Sequence, residues 1–469
     1  MPHVVISAAH KSSGKTTVSI GLCAALKDRG LDVQPFKKGP DYIDPMWLAS
    51  ASGHDCYNLD FFTMQDDEIN QTFHQYNHTA DISIVEGNKG LYDGLDLDGS
   101  NSNAALAKLL NAPVVLVLDA RGMTRGIAPL IHGYQAFDKN INIAGVILNQ
   151  LGGSRHESKL RRVIEHYTDV QVIGAIHKHD DMAIVERHMG LVPSNESESA
   201  KKHIANISRH IKDSVDLNQF MDIAATAPSS PEIQPHTFTS KVSCRIAVAR
   251  DAAFGFYYAS DINAIRNTGA EVIEFDTVND TALPDNIDGL FIGGGFPESS
   301  MQQLESNASM RKSIYDAIEA GLPTYAECGG MMYLSQSIQW NGNKNDMVGI
   351  IPGDTVMHEK PQGRGYVKIE ESEPFIWPKL ESHSSAQHQA HEFHYSSLEN
   401  FELNDKFQPA YKMHRGHGID GKYDGIMYKN MLACYAHQRH VESNPWVTRF
   451  IQFILTNKSS NNFAGIELC

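Results

Sequence analysis

Residues 3–17 read His3-Val4-Val5-Ile6-Ser7-Ala8-Ala9-His10-Lys11-Ser12-Ser13-Gly14-Lys15-Thr16-Thr17. An apolar, β-branched run gives way to a small polar turn, and a helical pattern follows. That order is the signature of a phosphate-binding loop. The turn aims backbone N–H groups inward, and the helix N-terminus adds partial positive charge. Gly14 lets the turn close, Lys15 reaches the outer phosphates, the Thr16 hydroxyl ligates Mg²⁺, and Thr17 stands beside it. Val18, Leu22, Ala25 and Leu26 share one face of the helix, and Gly30 sits where a left-handed cap is wanted. The usual pattern has Gly where this chain has Ala9. The competing reading is an ordinary Ser/Gly turn.

Outward from this loop, short apolar runs recur at 32–36, 81–85, 113–118, 143–148 and 170–176, with helical stretches such as 104–110 between them. Strands buried on both faces read as continuous apolar runs, so an α/β parallel sheet wrapped by helices is predicted. Ligands in such sheets bind beyond the carboxyl ends of the strands. A Pro-, Ser- and Thr-rich stretch at 226–240 reads as a linker. It separates a first domain, 1–225, from a second α/β domain, 241–469, whose strands are predicted at 245–249, 271–275, 289–292 and 323–326. The region 340–410 is rich in Gly, Pro and His and resists placement.

The bulk properties narrow the classes. A chain of 469 residues with 41% hydrophobic and 20% charged residues is ordinary for a globular protein of several domains. A net charge of −16 argues against nucleic acid as a partner. No apolar run approaches a membrane span, and the N-terminus enters a strand directly, without a basic-then-apolar signal. The six cysteines show no paired spacing. This composition fits a reducing cytoplasm with at most one chemically active thiol.

Two loops carry the first constellation. Lys37, Lys38, Asp41 and Asp44 lie between Phe36 and Pro45. On composition the stretch reads as a solvated turn. Behind a phosphate loop, its lysines would instead neutralise phosphate or carboxylate, and its aspartates would hold metal or orient a substrate. Glu86 ends the strand before Gly87-Asn88-Lys89-Gly90-Leu91-Tyr92-Asp93, placed to share Mg²⁺ with Thr16.

The second constellation is Ala326-Glu327-Cys328-Gly329-Gly330. A cysteine between a strand and a helix, flanked by small residues, sits on a sharp elbow, and the helix N-terminus favours thiolate. The bland reading is a buried structural thiol. Gly294 and Gly295, in Gly293-Gly294-Gly295-Phe296-Pro297, would supply oxyanion-hole N–H groups. His437 is the best-placed base, and His391 and His394 are its rivals.

Together these stretches resemble the cobyrinic acid a,c-diamide synthase family of tetrapyrrole amidotransferases. The resemblance rests on PFKKGPDYIDP (35–45), VEGNKGLYDG (85–94), GVILNQLGGSRH (145–156), RIAVARDAAFGFYY (245–258), GGGFPE (293–298), AECGGMMYL (326–334), AHEFHYS (390–396) and ACYAHQRH (433–440). It implies a dethiobiotin-synthetase-like front domain and a class I glutamine amidotransferase back domain. Cys328 would attack glutamine with His437 as base, in a family that lacks the usual third acid of the triad. Ammonia would pass to a site where ATP and Mg²⁺ activate a macrocycle carboxylate as an acyl phosphate. Asp41, Asp44, Glu86 and Asp93 fall on the family's acidic positions, with Lys37 and Asn149 beside the nucleotide and Thr16, Glu86 and Asp41 around the metal.

The expected partners are ATP, glutamine and a tetrapyrrole carboxylate, with a homodimer as the assembly. The stretches 357–366 and 436–440 depart from the corrin-pathway pattern, so sirohaem is the alternative substrate. A P-loop partitioning or metal-delivery NTPase is the remote alternative. Such enzymes favour an extra Lys where this chain has His10, and they would need no cysteine elbow.

Overall fold

The computed structural model describes residues 1–184, 186–187, 190–195, 200–228, 243–380 and 386–464. The chain divides into two compact units, Met1–Pro235 and His236–Cys469. Residues 229–240 of the expected linker, and Cys469, lie outside the described residues.

The first unit is built on seven strands: β1 (His3–Ala8), β2 (Val33–Lys38), β3 (Tyr57–Leu59), β4 (Ile82–Glu86), β5 (Val114–Asp119), β6 (Ile143–Leu151) and β7 (Gln171–His177). Their order is β3-β2-β4-β1-β5-β6-β7, and every neighbouring pair is parallel. β1 is central and wholly buried, so the loop that follows it opens at the carboxyl edge of the sheet. The helix α1 (Lys15–Lys27) is buried from Val18 to Leu26 rather than along a single face. A second layer explains this. A Cβ on Gly21 would lie 2.3 Å from Ile211 Cγ1 and 2.8 Å from Ile207 Cγ2, so the helix Ala200–Ser214 packs directly on its backbone. Gly30 is left-handed as expected, at φ 84°.

The second unit holds a nine-stranded sheet built from β8 (Arg245–Ala249), β9 (Glu271–Phe275), β10 (Gly289–Ile292), β11 (Thr324–Glu327), β12 (Gly363–Glu371), β13 (Gln387–His394), β14 (Gln408–Arg415), β15 (Tyr423–Tyr428) and β16 (Met431–Cys434). The order is β9-β8-β10-β11-β16-β15-β14-β12-β13. It is parallel from β9 to β16 and antiparallel beyond. The region 340–410 supplies β12, β13 and part of a four-stranded side sheet. Among the described residues no helix is long and apolar enough to cross a membrane.

Candidate active sites

The phosphate loop has the backbone its sequence demands. Gly14 has φ 83° and Ser12 φ 65°. Ala9 is not among the positive-φ residues, so its Cβ meets no backbone penalty there. The departure from the usual Gly is therefore sterically silent. Asn149, at the end of β6, donates from Nδ2 to Ser13 O at 2.9 Å, and the Tyr134 hydroxyl donates to Ala9 O. A Cβ on Gly14 would fall 2.1 Å from Asn149 Nδ2. Asn149 thus braces the loop from beneath.

Behind the loop lies a buried charge cluster. Glu86 is fully buried. Its Oε1 accepts from Lys15 Nζ at 2.8 Å, Thr16 Oγ1 at 2.7 Å and Lys37 Nζ at 3.0 Å. Thr16 Oγ1 also lies 3.2 Å from Asp44 Oδ2, which binds Lys37 Nζ at 2.5 Å. Burial opposes the charge on Glu86, but Lys15 and Lys37 outweigh it and hold the carboxyl down at about 2. Burial and the neighbouring Asp41 push Asp44 up to about 7, against the pull of Lys37. Burial lowers the Lys37 pKa, yet Asp44, Glu86 and Asp41 together hold it well above its ordinary value.

This overturns the solvated-turn reading of residues 37–44. Lys37 is 2% and Lys38 6% exposed. Burial lowers Lys38 to about 8, and its Nζ reaches Asn88 Oδ1 at 3.3 Å. Asp41 sits at the rim. Its Oδ1 accepts from the N–H groups of Ile43 and Asp44 at 3.0 and 3.1 Å, and its Oδ2 lies 3.7 Å from Lys37. Asp93 is exposed and spans a turn, accepting from Gly90 N–H at 2.9 Å, outside the cluster's hydrogen bonds. Thr17 is half-buried in the first turn of α1. Glu86 Oε2 is buried with no hydrogen-bond partner among the described residues. An ionised oxygen left unsatisfied beside a threonine hydroxyl is a hard donor set of the kind Mg²⁺ takes.

The second site surrounds Cys328, which links β11 to the short helix Gly329–Leu334. Its φ of 46° and ψ of −104° put a non-glycine residue in a sparsely populated region, which marks a strained elbow. Its N–H donates to Cys434 O at 2.7 Å, pinning the elbow to β16. The close neighbours are glycines for a steric reason. A Cβ on Gly330 would lie 2.2 Å from Ile292 O, and one on Gly329 2.9 Å from Gly295 N. One on Gly294 would lie 2.4 Å from His437 Cε1. The triglycine turn therefore packs against both the elbow and the histidine.

Of the three candidate histidines, His437 is the one that interacts with Cys328. Burial lowers its pKa, but the hydrogen bond and charge of Cys328, together with Glu327, raise it to about 10. His391 pairs with His437 through two backbone hydrogen bonds, 2.7 and 3.2 Å long. Burial and the His437 charge push its ring down to about 3, which keeps it neutral. His394 turns away: its ring stacks on Tyr435 at 3.9 Å, and Nδ1 bonds Ser396 O at 2.8 Å.

Two carboxylates that sequence reasoning left unassigned hold the histidine segment. Asp424 accepts from the N–H groups of Tyr435 and Ala436 at 3.0 and 2.8 Å. Glu327 accepts from Gln438 N–H at 2.8 Å, and its Oε2 lies 3.7 Å from His437 Nδ1. The expectation of a site without a third acid therefore meets a carboxylate beside the imidazole. Its signal was present in the sequence as a charged residue closing a buried strand, next to the cysteine.

A model of the CobQ/CobB/MinD/ParA nucleotide binding domain matches residues 4–192, and one of the CobB/CobQ-like glutamine amidotransferase domain matches 245–445. A cobyrinate a,c-diamide synthase of Magnetococcus marinus is 43% identical over 97% of this chain and 97% of its own length. One from Methanosarcina acetivorans is 41% identical over 93% of this chain and 92% of its own, and one from Dehalococcoides mccartyi 39% identical over 95% and 96%. With a P-loop unit, a cysteine-elbow unit and relatives matched from end to end, this chain belongs to the cobyrinate a,c-diamide synthase family.

Proposed function

We propose that this protein uses ATP and glutamine to amidate the a and c carboxylates of cobyrinate. The observation that carries the reading is one chain with two incomplete chemistries: a phosphate loop over a buried Glu86, and a strained Cys328 paired electrostatically with His437. A free carboxylate is too poor an electrophile for ammonia, so the amide donor and the activating nucleotide need separate machinery.

In the thiol unit, Cys328 Sγ attacks the side-chain amide carbon of glutamine. His437 gives a proton to the departing nitrogen as the C–N bond breaks and ammonia leaves. The amides of Gly294 and Gly295 face the developing oxyanion. Water then cleaves the thioester, releasing glutamate and restoring the thiol. In the nucleotide unit, Lys15 and Lys37 neutralise charge on the γ-phosphoryl group as the substrate carboxylate attacks it, the bond to the β-phosphate breaks and ADP leaves. Ammonia then displaces phosphate from the acyl phosphate. Thr16 and Glu86 would hold Mg²⁺, with Asp44 and Asp41 behind them. Bound there, the ion screens the phosphate oxygens. The relatives' names favour cobyrinate over sirohaem.

The test is the purified protein with ATP and each macrocycle, read by product mass. Cys328→Ala should abolish glutamine-dependent amidation and spare the reaction with ammonia. Full glutamine use by that variant would refute the nucleophile, and amidation of sirohaem alone would refute the substrate.

A further inference from the structure

Among the buried carboxylates of the thiol unit that the reaction above does not use, Glu327 lies beside the catalytic pair. Glu327 is 3% exposed and immediately precedes the nucleophile. We propose that Glu327 is a positioning residue for His437, the third member of a Cys328–His437–Glu327 relay whose acid is the nucleophile's own neighbour in the chain. The inference rests on the glutaminase reading of Cys328 and His437.

The geometry constrains each oxygen of this carboxylate differently. Oε1 accepts from Gln438 N–H at 2.8 Å and from the Tyr325 hydroxyl, so the group is tethered on one side. Oε2 is left towards His437 Nδ1, 3.7 Å away. Consecutive residues of a strand point to opposite faces. Glu327 ends β11 in register with Cys434, and the positive φ of Cys328 breaks that alternation at the next residue. This lets two adjacent side chains address one imidazole. With Nδ1 in ion-pair range of Glu327, the other ring nitrogen is the one that exchanges its proton with the thiol and the leaving ammonia. The titratable groups facing the ring are Cys328 and Glu327 from the elbow and His391 from β13. His391 is neutral, so beside Cys328 it is the Glu327 carboxylate that is placed to stabilise the imidazolium.

A merely structural Glu327 would hold the Gln438 amide and nothing more. Glutamine hydrolysis by full-length protein separates the two. Glu327→Gln keeps an acceptor for Gln438 and removes the charge. Its kcat should fall about 10- to 100-fold, with KM for glutamine near wild type. The alkaline limb of its pH profile should move down by about one unit as the imidazolium loses its partner. Ammonia-dependent amidation should persist, and Glu327→Asp should restore part of the rate.

Wild-type kcat and an unmoved limb in Glu327→Gln would overturn the proposal. If that variant also loses ammonia-dependent turnover, Glu327→Asp decides: a lowered limb supports the relay, and a wild-type profile overturns it. Failure of the reading beneath it looks different. Wild-type protein would then release no glutamate, or Cys328→Ala would still release it.

Discussion

Thr16 Oγ1 donates to Glu86 Oε1 at 2.7 Å, across 70 residues of sequence, while the sister oxygen Oε2 is buried without a hydrogen-bond partner among the described residues. The hydroxyl comes from the first turn of α1, which follows β1, and the carboxylate from the end of β4; β1 and β4 are neighbours in the parallel sheet. Sheet order therefore makes the pair, and it makes it at the mouth of a phosphate loop. The half-satisfied carboxylate keeps one oxygen for the cation proposed to sit there.

Replacing Glu86 by Gln should separate the two chemistries. Ammonia- and ATP-dependent amidation should fall by on the order of 100-fold as the preorganised charge is lost. Glutamine hydrolysis at saturating glutamine should remain. Glu86, ordinarily near 4.5, is held at about 2. A depressed acid stabilises the fold above its unfolded pKa and loses that contribution as pH falls through its folded value. Acid unfolding of wild type should therefore show a component between these two values that Glu86→Gln lacks, measured by circular dichroism.

Lys37 is the cation for a buried cluster of acids. Lys37→Met keeps much of the stem and leaves Glu86 and Asp44 short of one positive charge. Removing one partner of a buried ion pair costs about 3–5 kcal/mol. A lower urea midpoint with an unchanged m-value should report it. The Lys37 pKa is raised, so its contribution is present below the ordinary lysine range and disappears as pH rises through the higher folded value.

Gly21 is required by packing alone. Gly21→Val would drive a branched side chain into Ile211 and Ile207. Overpacking of this kind costs about 1–3 kcal/mol. Thermal unfolding should shift down, while glutamine hydrolysis in the other unit persists below the transition. A Tm equal to wild type would mean that the two helices are not in contact.

The thiol unit makes its own pH prediction. His437 is raised to about 10, so the imidazolium persists through neutrality. Glutamine hydrolysis should hold across the neutral range and fall as pH rises through about 10, where the proton needed by the leaving nitrogen is lost. A fall centred near the ordinary histidine value of 6.5 would contradict the Cys328–His437 pairing.

The elements legible in the sequence were those with one strong local signal. The strands Arg245–Ala249, Glu271–Phe275 and Gly289–Ile292 stand where their apolar runs predict them. The elbow at Cys328 followed from its small neighbours. The burial of Lys37 was not legible, because its environment is made by Glu86, which lies 49 residues away and becomes adjacent only through the β2–β4 pairing. Glu327 and Asp424 were missed for a related reason. Asp424 accepts backbone N–H groups, which leave no spacing signature, and Glu327 is tied to the Gln438 N–H across 111 residues of sequence. β13 alternates buried and partly exposed positions with period two, but His and Glu occupy its buried places and mask the pattern.

The central claim is that glutamine nitrogen ends on the macrocycle. The direct measurement is the mass of products formed from cobyrinate, ATP and amide-¹⁵N glutamine in the presence of unlabelled ammonium. Wild type should give a diamide carrying ¹⁵N at both new amides, and Cys328→Ala only unlabelled diamide. Labelled diamide from Cys328→Ala, or no ATP-dependent amide from wild type, would contradict it.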